Sequence, residues 1–150
     1  MYHLEVDPLH RFRDWPQPDV PACAPGVYSL WFDGRLLYIG VAGTRLGPPP
    51  RIGEWRSGLR GRLAAIVASH RPNAFLQLLS DQIVLPLLTA AQVRHIARGD
   101  VTLLALARRF ARENITYRAV VTRDGVEARR LARRARQGLP VAGPPLLNPR

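Results

Sequence analysis

Tyr28 and Tyr38 each close or open a glycine-bounded tripeptide: Gly26-Val27-Tyr28, then Tyr38-Ile39-Gly40. A phenol relays or accepts a proton when its surroundings pull its pKa well below about 10. Arg62 follows in Gly58-Leu59-Arg60-Gly61-Arg62-Leu63, and a guanidinium clamps transferring phosphoryl oxygens. Glu127 opens a late helical stretch, and a carboxylate that holds a divalent ion brings Lewis acidity. These residue types cover the needs of phosphodiester hydrolysis: proton transfer, charge stabilisation and an activated water. Each also has a plainer reading. Strand tyrosines are commonly packing residues with a wet hydroxyl. A glutamate at a helix start is favoured by the macrodipole and pairs with an arginine three residues on, here Arg130.

The elements that must position these residues follow from pattern. Val27-Tyr28-Ser29-Leu30-Trp31-Phe32 and Leu36-Leu37-Tyr38-Ile39 are β-prone, and Asp33-Gly34 between them signals a hairpin. A proline- and arginine-bearing loop covers 41–58. Helices are expected from Leu59 to about His70 and over Asn73–Leu85, with Pro86 disturbing the second. Thr89 caps a third, ending near Gly99, and Asp100 a fourth, through about Glu113. Residues Ile115–Thr122 read as a strand, central and buried on both faces because Ala119, Val120 and Val121 are all apolar. A last helix spans Gly125–Gln137. The Pro-rich residues 1–25 read as an arm on the surface, pinned by Phe12 and Trp15. The simplest packing of this order is α+β: one three-stranded sheet of antiparallel type flanked by helices.

Composition bounds the partners. The 150 residues suit one domain, with 47% hydrophobic residues. The 22 basic residues are all arginine and outnumber 11 acids, for a net charge of +11. A GC-rich genome explains the missing lysine but not the surplus over acids. That surplus favours a polyanion, chiefly nucleic acid. The lone Cys23 offers neither an internal disulfide nor a zinc cluster. The start is too polar for a signal peptide, and the longest apolar run, Ile83–Leu88, is too short for a membrane span. The expectation is a cytoplasmic protein.

The paired tripeptides, the Leu59–Leu63 segment with Arg62, the strand at 115–122, the helix opening with Glu127, and Pro144-Pro145-Leu146-Leu147-Asn148-Pro149 together resemble the GIY-YIG nucleases. The likeness spans about residues 25–149, with an insertion-like helical block over about 73–112. It implies an endonuclease-like fold over 26–150 and hydrolysis of nucleic acid, DNA before RNA, with Mg2+ or Mn2+. It implies that Tyr28 or Tyr38 sits near the attacking water, that Arg62 holds the phosphate, that Glu127 ligates the ion, and that Asn148 braces the site. Such a site needs both tyrosines on one face. A three-residue loop, Phe32-Asp33-Gly34, would set Tyr28 opposite Tyr38, whereas a loop of Asp33-Gly34 alone would turn them apart.

The chain departs from the family at Val41, where many relatives carry lysine or histidine, and at Ile66, where a histidine is frequent. His70, one turn further, is a further proton acceptor to consider. Arg129, Arg130, Arg133, Arg134 and Arg136 crowd the last helix with like charges four apart, a repulsion that a phosphate backbone would relieve. Arg45, Arg60, Arg130 and Arg134 are the candidate backbone contacts, with Arg51, Arg56 and Arg71 nearby. No base-reading motif accompanies them. Two rival readings stand beside the nuclease: a nucleic-acid-binding module without cleavage, and a protein-interaction domain using the apolar stretch Phe75–Leu88.

Overall fold

Asp33 and Gly34 both take positive φ, 49° and 72°, so the hairpin turns in two residues, the primed turn that suits twisted strands. The three-residue loop expected above is therefore incorrect. In the computed structural model, which describes residues 3–44, 58–68 and 73–148, the hairpin joins β2 (Gly26–Phe32) to β3 (Arg35–Ala42). Phe32 pairs with Arg35 and Trp31 with Leu36, but Leu30 then pairs with Tyr38. Leu37 is the extra residue of a β-bulge. The bulge shifts the register by one, so Tyr28 lies opposite Gly40. Opposed residues share a face in an antiparallel pair. Tyr28, Leu30 and Tyr38 thus point the same way after all, through a bulge rather than a longer loop.

Four strands, not three, form the sheet, in the order β1-β4-β2-β3 with every neighbour antiparallel. The added strand is β1 (His10–Arg11), which pairs with Thr116 and Tyr117 of β4 (Thr116–Val121). Two residues are too few to show an alternating pattern; the exposed edge of β4 creates this strand. The arm is consequently part of the core and not a surface layer. Leu4 of α1 (His3–Val6) and Phe12 are buried, and Phe12 stacks on Tyr117 at 4.8 Å between ring centroids. Arg60 clamps the arm down: its Nε donates to the carbonyl of Val20 at 2.9 Å and its Nη2 to those of Gln17 and Pro18.

Helices cover both faces of the sheet. On the Tyr28 face lie α2 (Leu59–Val67), α3 (Ala74–Leu79) and α5 (Leu103–Asn114), burying Leu59, Leu63, Phe75, Leu76 and Ala107 with Leu30, Leu37 and Tyr117. Within the block at 73–112, α3, the turn after it and α5 therefore complete the main core, while α4 (Ala90–Ala97) buries no residue. On the other face, α6 (Gly125–Gln137) sets Ala128, Ala132 and Ala135 against Val27, Trp31 and Ile39. That spacing of small side chains lines one helical stripe and lets the backbone approach the sheet closely.

Pro86 disturbs its helix as expected, and two other expectations change. Pro86 cannot donate a helical hydrogen bond; before it α3 widens into a π turn, Ser80–Val84, and a 3-10 turn follows over Leu85–Leu87. α5 is capped by Thr102, whose side chain accepts from the Ala105 N–H, while Asp100 instead bonds His95. β4 is central, yet Val121 is 52% exposed at its end. α4 (Ala90–Ala97) has the expected Thr89 cap, closed as a capping box by Gln92. No helix among the described residues is long and apolar enough to cross a membrane.

Candidate functional site

Two close approaches shape the site. Gly26 begins β2 where a Cβ would run into the Val120 carbonyl and the Leu59 side chain. Gly40 lies directly under the Tyr28 ring, whose Cζ, Cε2 and hydroxyl occupy the place a Cβ would take. The flanking glycines of both tripeptides are thus explained by packing, and Gly40 makes room on β3 for the Tyr28 ring.

Tyr28 is buried, Tyr38 half-buried against Phe75 with ring centroids 5.5 Å apart, and Arg62 exposed on α2. The Leu59 N–H donates to the Ala24 carbonyl at 2.9 Å, anchoring the helix start that carries Arg62. Tyr28, Tyr38 and Arg62 line one cavity of about 80 Å³, together with Ala65, Ile66 and Asn73. That is room for several waters or one phosphate-sized anion. Burial raises the Tyr28 pKa above its ordinary value and Tyr38 adds to the rise, while Arg62 and Arg136 pull the other way. Tyr28 is accordingly a neutral phenol at physiological pH and a hydrogen-bond donor, not an ionised base.

Asn148 sits one residue along the sheet edge. Its Oδ1 accepts from the Ile39 N–H at 2.6 Å and its Nδ2 donates to the Ile39 carbonyl at 3.1 Å. Leu146 and Leu147 N–H groups donate to the carbonyls of Leu36 and Leu37. The segment thereby covers the open edge of β3, which would otherwise present unpaired backbone groups. Arg136 reaches the same point: its Nε donates to the Ile39 carbonyl at 3.3 Å. In the sequence Arg136 is one of five arginines that crowd the last helix. The only signal for it was its place beside the small-residue stripe, next to Ala135.

Glu127 stands elsewhere. It lies nine positions before Arg136, about 13 Å along the helix axis. Gly125 packs against Gly43 and Thr44, at the far end of β3. The Glu127 Oε2 accepts from the Arg123 N–H at 2.7 Å, and Asp124 Oδ1 accepts from the N–H groups of Val126 and Glu127. Both acids therefore cap α6. Among the described residues no three His, Cys, Asp or Glu side chains gather. Magnesium is commonly held by one or two carboxylates plus water and substrate phosphate, but the described polar groups around Tyr28 are a phenol, two guanidiniums and two amides, Asn73 and Asn148. These residues do not fit a divalent ion at Tyr28.

The cap carries a pH prediction. The Glu127 N–H, ahead of the Val126 N–H and Arg123, holds the Asp124 carboxyl below the usual carboxylate range. A depressed folded pKa means the stabilisation is present above about pH 4 and is lost as pH falls through the folded value. Asp124→Asn keeps an acceptor oxygen but cannot titrate. Its melting temperature is expected to fall less steeply than the parent's on acidification below about pH 4; an unchanged acid limb would refute this role.

The remaining predicted residues divide. Arg60 is held by arm carbonyls, as described, and Arg130 and Arg134 are exposed on α6. Arg45, Arg51, Arg56, His70 and Arg71 lie outside the described residues. The apolar stretch is split: Phe75, Leu76, Leu79 and Val84 are core, while Leu85 and Leu87 are 51% and 61% exposed. Leu87 lines a cleft of about 260 Å³ together with Leu88, Leu106 and Phe110. Comparison with protein-family models, with characterised proteins and with solved structures found no match to this chain.

Proposed function

We propose that this chain binds nucleic acid, seating a backbone phosphate in the cavity of Tyr28, Tyr38 and Arg62. The observation that carries this reading is the meeting, in one phosphate-sized cavity, of an arginine with two phenols. Arg62 forms no ion pair with any described acid. It supplies the charge and the fork that match a phosphodiester, and Tyr28, neutral and buried, supplies a directed O–H. Outside the cavity, Arg130, Arg133 and Arg134 are exposed along α6, and the net charge of +11 draws a polyanion toward the surface. DNA is the first polymer to test. The resemblance to the GIY-YIG nucleases agrees with a phosphodiester ligand. Cleavage is the rival reading; it requires Glu127 to hold the ion, and the Glu127 carboxylate accepts from the Arg123 N–H at the start of α6.

Supercoiled plasmid, branched DNA and structured RNA, each with magnesium, manganese or chelator, separate the two. Binding without cleavage is expected, with log affinity falling linearly as log salt rises. Arg62→Ala is expected to weaken binding across all sequences and to lower the salt slope by about 1. Metal-dependent cutting that disappears in Glu127→Gln would replace this reading with the nuclease. Failure to bind any of the polymers would remove both.

A further inference from the structure

Resting on the phosphate-binding reading, we infer that Arg136 is the second cation of the site, so that Arg62 and Arg136 grip the nucleic-acid backbone from two sides of Tyr28 without a metal ion. Three observations meet here. Arg136 and Asn148 share one acceptor, the Ile39 carbonyl, at 3.3 Å and 3.1 Å. Ile39 is the residue between Tyr38, which lines the cavity, and Gly40, on which the Tyr28 ring rests. The Ile39 carbonyl therefore anchors Arg136 by its Nε between Tyr38 and the glycine that the Tyr28 ring covers.

That anchor changes what the arginine can do. A guanidinium presents five donors in a planar fork. Holding Nε fixes the plane, while Nη1 and Nη2 have no hydrogen-bond partner among the described residues. Asn148 fixes the same carbonyl from the segment that covers the β3 edge. An arginine positioned in this way loses little freedom when it meets an anion. No described acid lies within ion-pair distance of either arginine. Two cations that both act on a neutral phenol, with no described acid paired to either, are relieved by an anionic ligand. The ligand chemistry that fits is a phosphodiester backbone, one phosphate at Arg62 and the same or the adjacent phosphate at Arg136. The arrangement also accounts for the poor fit to a divalent ion: the positive charge beside Tyr28 is already supplied by side chains.

The test is fluorescence anisotropy with a labelled DNA strand, in chelator and in magnesium, over a salt series. It compares the parent with Arg136→Ala, Arg136→Lys and Glu127→Gln, with each melting temperature measured alongside. Arg136→Ala is expected to weaken binding about tenfold, the scale of one charge-assisted contact, and to reduce the salt slope by about 1. Arg136→Lys is expected to restore the slope but not the full affinity, because lysine keeps the charge and loses the fork. Glu127→Gln and chelator are expected to change nothing. Parent-like affinity and slope in Arg136→Ala would overturn the inference while leaving the phosphate-binding reading intact. Binding that needs magnesium and falls in Glu127→Gln would also overturn it. A parent protein that binds no DNA would overturn the inference and the reading together. A loss in Arg136→Ala matched by a lower melting temperature, with an unchanged slope, would reduce Arg136 to a structural tie and refute it.

Discussion

Gly26→Ala is expected to destabilise the protein by about 3 kcal/mol or more, at or beyond the upper end of ordinary overpacking. The new Cβ would meet the Val120 carbonyl of β4 and the Leu59 side chain of α2. A side chain can change rotamer, but the carbonyl belongs to the β2–β4 ladder, where Gly26 pairs with Val121 and Val27 with Val120. Relief therefore requires the two strands to part at the end where the Ala24 carbonyl also accepts from the Leu59 N–H. Strand pairing and the seat of α2 are strained together, and Arg62 moves with α2. Equilibrium unfolding in urea measures the effect. A loss below about 1 kcal/mol would mean that the approach relaxes easily, and the account of the first tripeptide would fail.

Gly40→Ala is expected to cost about 1–3 kcal/mol and to abolish any binding that depends on the cavity. Here the obstacle is the Tyr28 ring, which must swing out of its buried place and take its hydroxyl with it. A double-mutant cycle gives the decisive number. In a Tyr28→Ala background the clash is gone, so adding Gly40→Ala should cost little. The coupling between the two positions should then recover most of the single-mutant loss. Additive losses would show that Gly40 is required for a reason other than the ring above it.

Much of this molecule is determined by local sequence. Asp33-Gly34 specifies a two-residue turn because both residues tolerate positive φ, and Asp124 specifies the start of α6 because a short carboxylate reaches its own helix N–H groups. The helix runs over Gly125–Gln137 as its pattern indicates. The meeting of Tyr28, Tyr38 and Arg62 is what the resemblance to the GIY-YIG nucleases implies, although the fold sets the tyrosines together by a bulge and not by a longer loop. The bulge at Leu37 arises from how the hairpin packs, since Leu37 and Tyr38 both join the core on the α2 side. Nothing local marks such a residue, because a one-residue slip is specified by which side chains become buried.

Other features were decided only in three dimensions. His10-Arg11 becomes a strand because β4 has an open edge for it. Arg60 turns inward to the arm while Arg62, two residues on, faces the cavity. Glu127 closes the helix start, and Arg136, about two and a half turns away on a helix whose axial direction follows from the β4 connection, arrives at Ile39. Residue types along a helix are local facts. Which of them meets the site depends on the direction in which the helix crosses the sheet, and that is set by the burial of Ala128, Ala132 and Ala135 against strands far away in sequence.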